Sequence, residues 1–356
     1  MEKCNICNHK KLILVDFNNL ILRTDSKNAN IHYYKSYICE NCGILNQHPQ
    51  MTDQQLSDHY NSNYRETTYK LKINNQILDF PLKFEQTGIS FQRFFHFNKI
   101  IENTKIKLHN KIILDYGSYQ GSFLYACKKI YNSYTIGYDY NDEGLKFSKK
   151  YLGIDETIKT SDIYNDKFSS KPHLCSLIHV FEHLGNPNKF LKHLHDNILN
   201  DGGYIYIEVP DINSSHFSDP THCFTYNAQS LKYVLEKNNF EILALETNKI
   251  YGKVDPNIPR KKLQKNLHCL AKKGRLNNFE QSPNQGTKIY NEVKINHNKI
   301  YNLYLYQQSK KVIEEFLELI MTFISKIISK FSYNQSINFY EKYKLYLKKI
   351  LGIFKK

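Results

Sequence analysis

The chain has 356 residues, more than one average domain requires, and 49 Lys+Arg against 34 Asp+Glu give it a formal net charge of +15. It contains no uninterrupted apolar run of about 18 residues, which argues against a membrane span. It begins Met-Glu-Lys-Cys with no apolar signal region, so the expectation is a cytoplasmic protein.

Of the eight cysteines, four form two pairs, Cys4-x-x-Cys7 and Cys39-x-x-Cys42. In a reducing compartment such pairs point to metal, because each knuckle turns two sulfurs toward one point at a zinc–sulfur distance of about 2.3 Å. A structural zinc site is expected at Cys4, Cys7, Cys39 and Cys42, the alternative being four reduced thiols without metal. Between the pairs, Leu12–Asp16 and Ile31–Ile38 read as strands that can pair. Cys127, Cys175, Cys223 and Cys269 lie in apolar or mixed surroundings and read as small packed residues.

The most informative stretch is Ile112–Phe123. An apolar strand ends in Asp115-Tyr116-Gly117 and opens through Gly121 into a helix over Ser122–Ile130. Glycines at such a turn let backbone approach a ligand closely, and the helix N-terminus faces it. The spacing D-x-G-x-x-x-G differs from the dinucleotide fingerprint, lacking its third glycine. Next, Thr135–Tyr140 predicts a strand ending in Asp139-Tyr140, with the acid placed to bond ribose hydroxyls. A third short strand leads to Ser161-Asp162-Ile163. A fourth strand from Leu174 runs into His179-Val-Phe-Glu-His-Leu184, and Asn188–Leu199 reads as an amphipathic helix. A fifth strand follows at Tyr204–Pro210, and two more fit Phe240–Glu246 and Leu267–Lys272.

This ordered series, over roughly residues 90 to 275, resembles the class I S-adenosylmethionine-dependent methyltransferases. The resemblance implies an α/β fold with a Rossmann-like seven-stranded sheet. It assigns Asp115, Tyr116, Gly117 and Gly121 to the methionine end of the cofactor, although many relatives carry a small residue at the position of Tyr116. It assigns Asp139 and Tyr140 to the ribose, Ser161, Asp162 and Ile163 to the adenine, and His179 to a place near the sulfonium. Glu182 and His183 belong either to the site, or to a cap of the next helix or a bond to the backbone.

The cysteine pairs followed by Leu56–Arg65 and this core look like the bacterial sugar C-methyltransferases and their zinc-bearing relatives. In those enzymes a small zinc domain and the adjoining Tyr-rich segment help to cover the substrate cleft, here with Tyr60, Tyr64 and Tyr226 as lining candidates. Their second C-terminal α/β domain is not evident in this chain. The segment Asp219–Tyr226 resembles the histidine loop that follows their fifth strand, which makes His222 a candidate base, with Glu208 and His183 as further catalytic candidates. The resemblance implies a small-molecule acceptor, a sugar or nucleotide-sugar of surface polysaccharide synthesis.

Residues 255 to 356 hold 20 Lys+Arg and 7 Asp+Glu, so most of the net charge sits in this last portion. A core near neutrality argues against a surface that grips nucleic acid along its phosphates. An RNA methyltransferase and a non-catalytic binding protein on a degenerate fold remain the alternatives. The expected organisation is a zinc-ribbon-like module and cleft-covering segment over 1–70, the methyltransferase domain over 85–275, a polar linker over 276–300 and a basic amphipathic helical tail over 301–356. Its apolar stripe, from Val312 to Ile328, and the lysines after Glu341 suit either packing on protein or contact with an anionic membrane face.

Overall fold

The computed structural model describes residues 3–15, 35–52, 54–56, 58, 89–160, 162–213, 221–249, 265–274, 285–296 and 298. Met1–Asp255 and Arg260–Asn298 form one unit. A second unit, Pro256–Pro259 with Lys299–Lys356, lies outside the described residues, and with it the expected tail. Tyr60, Tyr64, Ser161, Asp219 and Pro220 also lie outside them. No described helix is long and apolar enough to cross a membrane.

The larger sheet has seven strands in the order β10-β11-β8-β7-β4-β5-β6. Its central strands are β4 (Ile112–Tyr116), β7 (Leu174–Ile178) and β8 (Tyr204–Pro210), with β5 (Tyr134–Asp139) and β6 (Glu156–Lys159) on one flank. These five run parallel, whereas β11 (Lys265–Lys273) is antiparallel to both β8 and β10 (Phe240–Lys249). Strands of a sheet covered on both faces read as apolar runs, as Ile112-Ile-Leu and Ile205-Tyr-Ile do. The Rossmann-like methyltransferase sheet expected from the sequence is therefore the fold of this chain.

Helices α1 (Ile89–Thr104) and α2 (Ser122–Tyr131) bury Phe97, Ile100, Ile101, Phe123, Leu124 and Cys127 in one apolar cluster with Tyr206 and Leu270 of the sheet. Helix α3 (Asp142–Leu152) starts at Asn141, whose side chain accepts from the Gly144 N–H, and stops at Gly153 with φ +64°. That geometry combines a side-chain N-cap with a left-handed C-terminal residue. The expected helix over 188–199 divides: α4 is Pro187–His193, and Leu194–Ile198 continues as a π-helical turn. Helix α5 (Ala228–Lys237) opens with a reciprocal Asn227–Ser230 capping box.

The N-terminal module is a second sheet. Strand β1 (Leu12–Leu14) pairs with β2 (Lys35–Cys39) as the sequence suggested, and β2 pairs with β3 (Leu45–His48). Its fourth strand, β9 (Phe224–Thr225), comes from the far side of the sequence and pairs Leu45 with Thr225 and Asn46 with Phe224. The module is thus not confined to residues 1–70.

The linker expected over 276–300 is not one throughout, because residues 286–296 form a helix, α6. Ile289 and Val293, one helical turn apart, are buried among Val15, Ile38, Leu45 and Ile212. That i,i+4 pair supplies the apolar anchor a mostly polar helix needs. Its first residue, Gly286, donates its N–H to the Glu40 carbonyl at 2.9 Å, and a Cβ there would stand 2.4 Å from Glu40 Cα. Only glycine allows this approach to the second cysteine knuckle.

Candidate active site and metal centre

The turn after β4 is built to leave space. Gly117 (φ +70°) and Gly121 (φ +76°) are left-handed, and Gly121 caps α2, whose N-terminal amides face the turn. A Cβ on Gly117 would lie 2.4 Å from Val180 Cγ2, so the turn also touches the segment after β7. The loop is tied to the neighbouring strand: Gly117 N–H donates to the Tyr138 carbonyl at 2.8 Å, and Tyr119 N–H donates to Asp139 Oδ2 at 2.8 Å. Asp139 Oδ1 accepts from Asn141 N–H, also at 2.8 Å. Two backbone donors hold this carboxylate at the carboxyl edge of the sheet.

Asp115 is buried, and Ser176 Oγ donates to its Oδ1 at 2.6 Å. Burial pushes its carboxyl up to about 7, with Ser176 opposing and the Asp139 charge adding to the rise. Tyr116 departs from the cofactor role given to it: its ring is enclosed by Tyr138, Phe168 and Phe190 and belongs to the core. Asp162 takes Tyr164 N–H at 2.9 Å and Asn165 Nδ2 at 2.5 Å, which stiffens the loop that carries the buried Ile163. Tyr140 directly follows Asp139 at the same edge.

After β7 the chain turns sharply at His179, whose φ of +55° is unusual for a residue with a Cβ. Phe181–His183 then forms one 3₁₀ turn. The next helix is capped by Asn186, not by Glu182 or His183, so the capping alternative falls, whereas His183 does bond the backbone, at the Thr221 carbonyl. A chain of charge runs from here across the sheet edge. His179 Nδ1 stands 3.2 Å from Glu182 Oε1, and its Nε2 stands 3.2 Å from Glu208 Oε1. Glu208 Oε1 also receives Arg93 Nε at 3.1 Å and Asn266 Nδ2 at 2.7 Å. Burial and Arg93 disfavour a charged His179, but the two carboxylates outweigh them and its pKa is raised.

Glu208 does not suit the part of base. It is fully buried, and although burial opposes ionisation, Arg93 and His179 hold its carboxyl far below the ordinary range. A base needs a pKa near the working pH, so this geometry gives Glu208 a positioning part instead. Sequence reading missed Arg93 and Asn266, whose partners lie 115 and 58 residues away. An arginine on a helix ahead of the sheet carries no local mark of such a pairing.

The loop over residues 221–226 brings the remaining candidates together. His183 Nδ1 is 2.8 Å from the Thr221 carbonyl, and the His183 and His222 rings meet edge to face at 4.8 Å between centroids. His222 is only 5% exposed, so it faces protein and not open solvent. Tyr226 is buried against Phe181 and Phe224, in the core and not in a wet cleft.

In the N-terminal module the four cysteines converge. Cys4 Sγ lies 3.7 Å from Cys42 Sγ, and Cys7 Sγ lies 3.5 Å from Cys39 Sγ. All four sulfurs fall within 4.8 Å of one another. Disulfides would bring sulfurs to about 2.05 Å, whereas a tetrahedral ion at about 2.3 Å from each sets edges of about 3.8 Å. The residues therefore fit a four-thiolate ion. Ile6 N–H points to Cys4 Sγ at 3.4 Å, and Gly43, with φ +68°, donates its N–H to the Cys39 carbonyl at 2.9 Å to close the second knuckle. Cys127, Cys175, Cys223 and Cys269 are all buried in the core.

A strand-ordered sheet, a glycine turn and a strand-end acid define the cofactor half of a class I methyltransferase. Residues 91–245, less than half of the chain, match a family model described as a methyltransferase domain. Similar solved structures include S-adenosylmethionine-dependent methyltransferases from three organisms. That from Methanosarcina mazei has 15% identity and a TM-score of 0.39, with 50% of this chain and 98% of the other covered. That from Archaeoglobus fulgidus has 20% identity and a TM-score of 0.37, with 49% and 92% covered. That from Mesorhizobium loti has 14% identity and a TM-score of 0.39, with 48% and 95% covered. No match to a curated protein was found.

Proposed function

We propose that this methyltransferase acts on a small-molecule acceptor, a sugar or nucleotide-sugar used in surface polysaccharide synthesis, with zinc in the four-cysteine site. One observation carries the reading. The loop that holds His222 continues into β9, which is a strand of the N-terminal sheet. Gln47 N–H and Gln50 Nε2 both donate to the Cys223 carbonyl at 3.1 Å, next to His222. On this reading the cysteine module supports the acceptor end, and the burial of His222 favours a small acceptor over a duplex. Beside it, the cysteine spacing and the histidine loop are those that resemble the sugar enzymes.

The cofactor half is assigned to Gly117, Gly121 and Asp115 at the methionine end, to Asp139 at the ribose and to Asp162 and Ile163 at the base. S-adenosylmethionine supplies an electrophilic methyl group when bound. The chain's part is to hold the acceptor in line with it and to exclude water. The test is transfer of labelled methyl from S-adenosylmethionine to a panel of nucleotide-sugars, with bulk RNA as the competing acceptor. Label in a nucleotide-sugar is expected, and label in RNA alone would overturn the acceptor class.

A further inference from the structure

Asp115 and Asp139 mark the carboxyl edge of the larger sheet, and the opposite edge is where β4 and β5 begin. A helix that links parallel strands must run back against them, so α2 and α3 both end at that opposite edge. The loops there are bonded to one another. Asn110 N–H donates to the Tyr131 carbonyl at 2.9 Å, and Tyr134 N–H donates to the Lys111 carbonyl at 3.0 Å. Lys128, in the last turn of α2, donates to the Gly153 carbonyl at 2.6 Å, just past the end of α3, and pairs with Asp155.

Ile130, Tyr134 and Tyr151 lie on this edge and are 58%, 46% and 38% exposed, half of the exposed large apolar side chains among the described residues. Single exposed apolar residues are ordinary, but three on segments tied together make a patch. Five exposed lysines share the same segments, Lys105, Lys107, Lys129, Lys149 and Lys150, and none of them has an acidic partner among the described residues. Residues 102–111, 128–134 and 149–156 together hold seven lysines against three acids, Glu102, Asp155 and Glu156, and no arginine. One of those acids, Asp155, is already taken by Lys128. Lys150 also lies over the Tyr151 ring, 5.0 Å from its centroid, so cation and ring form one amphipathic group.

We propose that this edge docks on an anionic lipid bilayer, with Ile130, Tyr134 and Tyr151 in the headgroup layer and the five lysines on acidic headgroups. Tyrosine rings sit at that depth by their mixed polarity, and a cluster of basic residues is drawn to acidic lipid within a Debye length. A nucleic acid is the other polyanion such an edge could meet. Its phosphates are gripped best by the planar fork of arginine, which these segments lack, and Ile130 offers no ring to stack on a base. Strands of five or six residues separate the two edges by about 17–20 Å, so docking leaves the turn at Gly117 clear of the membrane and open to a water-soluble acceptor. The proposal depends neither on the identity of that acceptor nor on residues 301–356.

The test is co-sedimentation of the full chain with vesicles of phosphatidylcholine and phosphatidylglycerol, set against vesicles of phosphatidylcholine alone. Binding is expected only to the anionic vesicles, and it should weaken as salt rises. Charge reversal by Lys129→Glu with Lys150→Glu should weaken it at least tenfold, and Ile130→Ser should weaken it several-fold. Reversal at two exposed lysines of α6, Lys288→Glu with Lys294→Glu, lowers the net charge equally and should leave vesicle binding near the wild-type value. Calorimetry with S-adenosylmethionine should find the same affinity in all of these variants, which shows that they fold. A wild-type chain that stays in solution beside anionic vesicles overturns the proposal, whatever the variants do. So does an edge reversal that binds like the wild type, or an α6 reversal that weakens binding as much as the edge reversal does. Retention on RNA with no retention on vesicles would name the other polyanion and overturn it too.

Discussion

Asn46, in the third strand of the cysteine module, stands opposite Phe224, two residues past His222. Order in the cysteine module and order in the loop that carries His222 are therefore one property. Replacing Cys39 with Ser removes one of four ligands, and binding energy at such a site is folding energy. The expected outcome is loss of zinc, a lower melting temperature and a kcat that falls more than tenfold while S-adenosylmethionine affinity changes little. Metal analysis, melting curves and calorimetry on one preparation check this, and an undiminished kcat in the metal-free variant contradicts it.

Gly117→Ala meets two obstacles, a left-handed backbone and the Val180 methyl 2.4 Å from its Cβ. The backbone term alone is about 1–2 kcal/mol. The variant is expected to melt lower and to bind S-adenosylmethionine at least tenfold more weakly. Adding Val180→Ala removes the clash but not the φ penalty, so it should restore part of the stability and not all of it. Full recovery in the double variant would show that backbone conformation is not the constraint.

Asp115 makes stability depend on pH. Its folded pKa of about 7 lies above the ordinary 3.8, so the folded state keeps a proton that the unfolded chain has already released. Stability from this group is full below about pH 4, declines as pH rises toward 7 and is flat above. Asp115→Asn should therefore stabilise the cofactor-free protein at pH 8, by up to about 4 kcal/mol, and have little effect at pH 4. The same change should weaken S-adenosylmethionine binding at pH 8, since the cationic methionine end loses its carboxylate. Denaturant melts at the two pH values decide the first point and calorimetry the second.

The Arg93–Glu208 pair should show the opposite slope. With Glu208 fully buried, Arg93→Met leaves its carboxylate short of a partner, at a cost of about 3 kcal/mol. Glu208 is held well below its ordinary pKa, so the pair's contribution is present above about pH 4.5 and fades as pH falls toward the folded value. The difference between wild type and Arg93→Met should shrink in acid, and adding Glu208→Gln should recover much of the loss at pH 7. A double variant no more stable than Arg93→Met would deny the pairing.

The sheet was readable from the sequence because its central strands β4, β7 and β8 are largely buried and appear as apolar runs. The paired cysteines were readable for a different reason, since two-residue spacing is itself the geometry of a knuckle. Strand β9 was not, because Phe224 and Thr225 become a strand only through Leu45 and Asn46, far away in sequence. Helix α6 was taken for linker since its polar residues outnumber its two anchors, Ile289 and Val293. In the candidate site, His183 and His222 stood out as residues, but their meeting depends on Thr221 and on the turn at His179, neither of which sequence spacing reveals.

The contact of Gly286 with Glu40 has a bearing on how the N-terminal sheet can be altered or inherited. Residues near 40, near 225 and near 286 are neighbours here, so no single cut of the gene isolates this sheet. Transplanting specificity into a relative means moving three separated stretches together, and a chimaera joined once after the cysteines would present a half-sheet to a loop shaped for another partner.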